Sequence, residues 1–238
     1  MSKKIALVTG ANKGIGFETA KQLAEQGIFV ILGARDKEKG EKAVAKLTSL
    51  GLEVEYLALD MTDMNSIEGA RDYISSKYGV LDILVNNAGV MTNDNGKDFL
   101  DVKITDIKIA FETNFFGVIS LTQALLPLLK KSASARIVNL SSVLGSLSKM
   151  SQSYDWNCLG YNSSKTALNA FTVYLANELK DTKIKVNSCH PGWVKTDMGG
   201  EIAPMQIPDG AKTSVWLATL DENGPNGGYF HMKEKLEW

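Results

Sequence analysis

Short apolar runs alternate with longer amphipathic segments along almost the whole chain. Each short run is apolar or β-branched and is bounded by Gly, Asp, Asn or Ser, which is typical of buried strands. The predicted strands are residues 5–8, 28–32, 54–59, 81–85, 136–140, 184–188 and 228–231. The segments between them have helical length and periodicity. The predicted helices are residues 15–25, 37–50, 63–77, 105–130, 161–179 and 209–220.

This alternation of strand and helix predicts the fold class. Strands that alternate with helices form parallel sheets covered on both faces, and right-handed crossovers make such a sheet doubly wound. We therefore expect an α/β protein with a Rossmann-type sheet of about seven strands. The chain contains no repeat and no linker, so residues 1–238 are predicted to form a single domain.

Two connections are longer than a compact domain usually needs, which favours a functional role for both. They are residues 143–160 and residues 193–208, and each follows the carboxyl end of a predicted strand. Ligands of open parallel sheets bind at that edge.

Composition narrows the class of protein. Hydrophobic residues make up 44% of the chain and the net charge is −1, which fits a globular protein and does not favour nucleic acid or an anionic membrane as a partner. Cys158 and Cys189 lie far apart, so neither a metal site nor a disulfide is expected. No signal peptide and no run of 18 apolar residues is found. These features predict a cytoplasmic protein with no membrane partner.

The turn after the first predicted strand carries the first candidate chemistry. Residues 9–16 read Thr-Gly-Ala-Asn-Lys-Gly-Ile-Gly between a strand and a helix. Gly10 permits a tight turn, Gly14 lets the backbone approach a pyrophosphate, and Gly16 lets the helix pack closely on the strand. The helix N-terminus offers free N–H groups and a positive dipole to phosphates. We therefore expect a dinucleotide to contact this turn through Gly10, Asn12, Lys13, Gly14, Ile15 and Gly16.

The spacing of these glycines, together with later motifs, resembles the short-chain dehydrogenase/reductase family. The turn has the form T-G-x-x-x-G-x-G, and five further motifs follow in order over nearly the whole chain. They are Asn86-Asn87-Ala88-Gly89, Asn114, Ser141-Ser142, Tyr161-x-x-x-Lys165 and Pro191-Gly192. Residues 12–16, 114–117, 191–198 and the terminal Glu237-Trp238 are most similar to the carbonyl reductase branch of that family.

The end of the second predicted strand indicates which nicotinamide cofactor is used. Enzymes that use NAD place an acidic residue there, on the ribose 2′-hydroxyl. Here Ala34 takes that position, Arg35 follows, and Asp36 falls two residues late. A 2′-phosphate favours a guanidinium group, and Lys13 and Lys39 add nearby cations. The predicted cofactor is therefore NADPH (NADP+), with Arg35 on the 2′-phosphate.

The spacing of Tyr161 and Lys165 suggests a reaction centre. Residues four apart lie on one face of a helix, and a nearby ammonium lowers the pKa of a phenol, which is otherwise near 10. The resemblance implies that Tyr161 is the proton donor, with Ser142 on the substrate carbonyl and Ser141 as the fallback. It also implies that Asn114 positions a water and Lys165 in a proton relay.

The resemblance implies the remaining cofactor contacts and the reaction. The additional residues expected at the cofactor are Asp60, Met61, Asn87, Gly89, Tyr161, Lys165, Pro191, Gly192, Val194 and Thr196. The expected reaction is NADPH-dependent reduction of aldehydes or ketones. The alternative is a catalytically weak NADP(H)-binding sensor of the same fold.

Three further expectations concern the rest of the chain. His190 and His231 are not expected to be functional, since neither has a partner at metal-ligand spacing. Six residues could line a hydrophobic pocket or could equally be loop packing: Met150, Trp156, Trp193, Met198, Met205 and Ile207. Many family members pair through the helices that correspond to residues 105–130 and 161–179. Because an insertion before the tyrosine can cover that face in the carbonyl reductase branch, the long segment 143–160 favours a monomer.

Overall fold

A computed structural model describes residues 3–94, 96–152 and 158–238. Within these residues, eight strands form one sheet in the order β3-β2-β1-β4-β5-β6-β7-β8. Their bounds are Ile5–Thr9 (β1), Phe29–Ala34 (β2), Val54–Ala58 (β3), Ile83–Asn86 (β4), Arg136–Leu140 (β5), Lys185–Cys189 (β6), Tyr229–His231 (β7) and Glu234–Lys235 (β8). Strands β1 to β7 pair in parallel. The predicted doubly wound α/β sheet is confirmed.

Helices cover both faces of this sheet, because alternate residues of the buried strands point to opposite sides. The helices are Gly14–Glu25 (α1), Lys37–Thr48 (α2), Met64–Lys77 (α3), Ile104–Phe111 (α4), Gly117–Leu129 (α5), Leu147–Met150 (α6), Leu159–Glu178 (α7) and Ile207–Ala218 (α8). Apolar side chains of α3, α5 and α7 form one core with the sheet. Those of α1, α2 and α8 form a second core on the opposite face.

Local capping explains where two of the helices begin. Asp63 accepts a hydrogen bond from the Asn65 N–H at 2.9 Å, and Asp36 accepts one from the Lys39 N–H at 3.0 Å. Aspartate at this position satisfies a backbone donor that the first helical turn leaves free. The predicted cap at Asp63 is confirmed, and α3 starts at the residue that follows it.

The sheet has one strand more than the sequence predicted. Strand β8 pairs antiparallel with β7, Phe230 opposite Lys235 and His231 opposite Glu234. The turn between them places Met232 and Lys233 at φ +48° and +72°. The sequence lacks the Asn-Gly or Asp-Gly pair that favours such a hairpin turn, so the pattern gave no signal for β8.

The predicted helix over residues 105–130 is interrupted. A π-helical turn, Glu112–Phe116, joins α4 to α5, and buried Asn114 lies within it. Such turns insert an extra residue into a helix and are frequent at functional sites. The whole stretch Ile104–Leu129 is long and apolar enough to cross a membrane by length and composition. A core helix passes the same test, and Leu121, Leu125 and Leu128 in this stretch are buried against the sheet.

Candidate active site

A cleft of about 1290 Å³ opens at the carboxyl edge of the sheet. The glycine turn after β1, the loop after β4, the start of α7 and the loop after β6 all contribute to its lining. This is the edge at which parallel sheets bind ligands. Fifteen of the predicted site residues line it: Gly10, Asn12, Lys13, Gly14, Ile15, Gly16, Arg35, Asp60, Met61, Asn87, Gly89, Tyr161, Lys165, Pro191 and Thr196.

The glycine turn forms a cradle that side chains would fill. A Cβ atom at Gly16 would lie 2.3 Å from the Asn87 amide nitrogen, and Gly10 has a φ of +62° with Ala88 close by. Asn87 donates to the Thr9 carbonyl at 2.7 Å, which joins the ends of β1 and β4. Lys13 at the start of α1 supplies no side-chain cap, so the first N–H groups of the helix remain available. A pyrophosphate group fits the chemistry of this turn.

Two basic side chains, Lys13 and Arg35, line the cleft after the ends of β1 and β2. The Arg35 guanidinium is 77% exposed and lies 3.8 Å from the Asp60 carboxylate. Burial raises the pKa of Asp60, but hydrogen bonds from Thr62 and the charge of Arg35 outweigh it and hold that pKa below its usual value. Lys13 forms an ion pair with Asp197 from the loop after β6. These cations are placed where a 2′-phosphate could meet them.

Lys39 is not brought into the cleft lining. Its ammonium lies 2.9 Å from Asp36, and its N–H is the donor that Asp36 accepts to cap α2. The capping contact holds Lys39 on the outer surface of the helix. We therefore leave Lys39 out of the proposed cofactor site.

Tyr161 lines the cleft near the end of β5, and the Ser142 hydroxyl interacts with Tyr161, although Ser142 itself does not line the cleft. Both are buried, at 7% exposure each. Burial raises the pKa of Tyr161 to about 12, while its interaction with the Ser142 hydroxyl acts in the lowering direction. The Ser142 hydroxyl accepts the Leu144 N–H at 3.2 Å, which leaves its own proton free to donate. Ser141 lines the cleft but points its hydroxyl toward the Lys165 carbonyl at 3.5 Å, so Ser142 is the better partner for the Tyr161 phenol.

Lys165 lies one helical turn below Tyr161. Its ammonium donates to the Leu140 carbonyl at 2.7 Å and lies 5.7 Å from the centroid of the Tyr161 ring. Burial lowers the pKa of Lys165 to about 8. The expected lowering of the phenol pKa by this lysine is not seen, because burial of the phenol raises that pKa.

Asn114 is buried beside Lys165, and both the oxygen and the nitrogen of its side-chain amide form hydrogen bonds. Its Oδ1 accepts the Val90 N–H at 2.8 Å, and its Nδ2 donates to the Val90 carbonyl at 2.9 Å and to the Ser164 hydroxyl at 3.0 Å. A Cβ atom at Gly89 would lie 3.3 Å from Asn114 Oδ1 and 3.4 Å from Lys165 Nζ. Asn114 therefore lies beside the lysine, although it does not line the cleft.

Some predicted cofactor residues shape the loop after β6 without lining the cleft. Val194 is buried and bridges to Met205, and a Cβ atom at Gly192 would meet the Met205 sulfur at 2.0 Å. Of the candidate pocket residues, Met198 and Ile207 line the cleft, whereas the Trp193 indole donates to the Gly199 carbonyl. Trp156 falls in residues 153–157, outside the described residues, and its pocket role stays a prediction.

Sequence reasoning missed several residues that line the cleft. The loop after β4 contributes Met91, Thr92 and Asn93, and the loop after β6 contributes Lys195, Asp197 and Glu201. Their position after the carboxyl ends of β4 and β6 could have identified them, because ligands bind at that edge of the sheet.

His190 has a structural role that the sequence did not indicate. Its Nδ1 accepts the Val143 N–H at 3.2 Å, and burial, with His231 nearby, lowers its pKa to about 3. The neutral ring thus supports the turn that follows Ser142.

Comparison with known proteins identifies the family. The family model for short chain dehydrogenases matches residues 4–207, so the chain belongs to the short-chain dehydrogenase family. Carbonyl reductase (NADPH) 1 of Mus musculus is 34% identical over 281 residues, covering 100% of this chain and 99% of the mouse protein. Salutaridine reductase of Papaver bracteatum is 35% identical over 297 residues, covering 97% of this chain and 95% of the poppy protein.

Solved structures agree with this assignment. The crystal structure of NADPH-bound carbonyl reductase from chicken fatty liver superimposes with a TM-score of 0.89 at 28% identity and covers 100% of both chains. Salutaridine reductase from Papaver somniferum gives a TM-score of 0.83 at 33% identity, covering 96% of this chain and 99% of that one. The similarity extends over nearly the full length in each case.

Proposed function

We propose that this protein is an NADPH-dependent carbonyl reductase that converts aldehydes or ketones to alcohols. The observation that carries the proposal is that Tyr161 and Lys165 both line the cleft while the Ser142 hydroxyl interacts with Tyr161. Full-length similarity to NADPH-dependent carbonyl reductases supports the same reaction. A sensor without chemistry would not need this group of residues, and no observation favours that alternative.

The mechanism divides the reaction between cofactor and protein. When bound, NADPH supplies the hydride that reduces the carbonyl carbon. Tyr161, held protonated at neutral pH by its burial, gives its proton to the oxygen on which negative charge develops. The Ser142 hydroxyl donates a hydrogen bond to the same oxygen. Hydride on carbon and proton on oxygen together complete the alcohol.

The remaining residues hold the cofactor and support the acid. Lys165, as an ammonium, would bind the ribose hydroxyls of the nicotinamide half, and Asn114 would fix the loop beside it. The glycine turn would bind the pyrophosphate, and Arg35 with Lys13 the 2′-phosphate. Asp60 and Met61 would flank the adenine, Asn87 and Gly89 its ribose, and Pro191 and Thr196 the nicotinamide.

The test of this function is a screen for NADPH oxidation with purified protein. Aldehydes, quinones, diketones and ketoesters are offered in turn, with NADH in a parallel series. Turnover of at least one carbonyl class with NADPH supports the proposal. Binding of NADPH with no turnover of any class would instead support the sensor.

The Arg35→Ala variant is expected to narrow the preference for NADPH over NADH. Losing a charge-assisted contact costs about 1.5–3 kcal/mol, and because Arg35 is largely exposed we expect the lower end, roughly a 10-fold change. The ratio of kcat/KM for the two cofactors measures the effect. Lys37→Ala is the matched control, since Lys37 is an equally exposed cation that pairs with Glu41. Equal use of NADH by the wild type would disprove the role of Arg35.

We also propose that the protein is a soluble, cytoplasmic monomer of one domain. The long segment 143–160 motivates the monomer, because an insertion before the tyrosine can cover the helix face through which related proteins pair. Apolar side chains are exposed at Ile104, Ile109 and Phe116, so an association of chains through this surface has to be tested by experiment. Light scattering on the purified protein is expected to give the mass of one chain. A stable dimer or tetramer would contradict the monomer and would direct attention to these three side chains.

A further inference from the structure

Helix α7, which carries Tyr161 and Lys165, begins without a cap of its own. The residue before it, Cys158, makes no capping hydrogen bond with its side chain. Helices leave their first N–H groups without partners, and a cap normally accepts from the second or third residue. In α7 the second residue is Gly160 and the third is Tyr161.

A carboxylate from a distant part of the chain takes the place of the missing cap. Asp94, in the loop after β4, is completely buried. One of its oxygens accepts the Gly160 N–H at 2.7 Å. The other accepts the Thr92 hydroxyl at 2.7 Å and the Cys158 thiol at 3.0 Å. Three donors therefore converge on one side chain at the start of α7.

These contacts keep Asp94 charged. Burial raises the pKa of Asp94, but the hydrogen bonds from Gly160, Thr92 and Cys158 outweigh it and hold that pKa below its usual value. A negative charge at a helix N-terminus is further stabilised by the helix dipole. Burial, reinforced by the Asp94 carboxylate, raises the pKa of Cys158 to about 11. The thiol therefore stays protonated and remains a donor to the carboxylate.

The loop that carries Asp94 is fixed at its other end to the reaction centre. The backbone N–H and carbonyl of Val90 both hydrogen-bond to the side-chain amide of Asn114, and that amide also donates to the Ser164 hydroxyl on α7. Thr92, between the two anchors, lines the cleft. The segment 90–94 thus connects the π-helical turn, the cleft wall and the first turn of α7.

We propose that Asp94 is a positioning residue, which sets the place of the Tyr161 phenol by holding the first turn of α7 through the Gly160 N–H. This inference rests on the proposed function, in which Tyr161 is the proton donor. Lys165 lies a turn further along the helix and is held by Leu140, and Arg35 and the glycine turn belong to other elements. The effect of Asp94 should therefore fall on turnover and leave cofactor binding intact.

The variants Asp94→Ala and Asp94→Asn test this effect. Displacing a reacting group by about 1 Å can cost on the order of 100-fold, so we expect Asp94→Ala to lower kcat by about 10- to 100-fold. Asp94→Asn should lose about 5-fold, because its amide oxygen can still accept from Gly160 while the charge at the helix terminus is gone. The kcat is expressed per NADPH-binding site, titrated by NADPH fluorescence, and the Kd for NADPH should stay at the wild-type value.

Two further measurements separate positioning from general loss of structure. A displaced phenol makes proton transfer more rate-limiting, so the solvent deuterium isotope effect on kcat should increase in Asp94→Ala. Loss of folded protein would leave that isotope effect unchanged. Asp98→Asn, an exposed acid in the same loop, is the matched control and should behave as the wild type.

Results with either Asp94 variant can overturn the inference. Wild-type kcat per NADPH site in Asp94→Ala, or a parallel loss of kcat and NADPH affinity, would overturn it. If Asp94→Ala does not fold, Asp94→Asn decides, and an unchanged kcat with an unchanged isotope effect overturns the inference. Failure of the proposed function would look different, since the wild type itself would then reduce no carbonyl or would not need Tyr161.

Discussion

Replacing Tyr161 by phenylalanine is expected to lower NADPH-dependent turnover by about 10²- to 10⁴-fold, the range that a positioned general acid contributes. Phenylalanine keeps the ring and its packing but removes the proton donor. The phenol has a pKa near 12 because it is buried, so at neutral pH the wild type always presents it protonated. NADPH affinity is expected to persist, since the glycine turn, Arg35 and Lys165 are unchanged.

The measurement compares kcat with NADPH binding in the same preparations. Saturating carbonyl substrate gives kcat, and NADPH fluorescence gives the Kd. Tyr174→Phe is the matched control, because Tyr174 is exposed on the same helix and does not line the cleft. Near-normal turnover in Tyr161→Phe would eliminate Tyr161 as the acid.

The order of strands and helices was predictable because each buried strand is a short apolar run and each helix has an apolar face. All seven predicted strands are present, with bounds shifted by one or two residues at most. The pattern did not predict β8, which is two residues long and exposed. It also did not predict the π-helical turn at Asn114, because one extra residue in a helix barely disturbs its periodicity.

The parts of the candidate site that consist of residues close together in the sequence were predictable. The glycine turn and the Tyr161–Lys165 pair depend on spacing alone, and the structure places both at the cleft. Asp94 could not be predicted in this way, since its partner Gly160 is 66 residues away. The pKa values of Tyr161 and Lys165 could not be predicted from the sequence either, because burial shifts both of them.

The low pKa of Lys165 should make kcat/KM for NADPH depend on pH. In the free enzyme burial lowers this pKa to about 8, whereas that of Tyr161 is about 12. The value of kcat/KM for NADPH reports groups that titrate in the free enzyme. Lys165 is a base whose charged form is needed to bind the ribose hydroxyls, so activity is present below its pKa and lost above it. We therefore expect kcat/KM for NADPH to fall as the pH rises above about 8.

The variant Lys165→Met should remove this alkaline limb together with most of the activity. Methionine fills a similar volume but cannot donate to the Leu140 carbonyl or to a ribose, so kcat/KM for NADPH should fall by roughly 10- to 150-fold, the cost of a hydrogen bond from a charged group. Unlike Tyr161→Phe, this variant should also weaken NADPH binding. Lys180→Met, an exposed lysine just beyond the same helix, should keep the wild-type profile. Persistence of the alkaline limb in Lys165→Met would show that another group titrates there, and the assignment of Lys165 would be wrong.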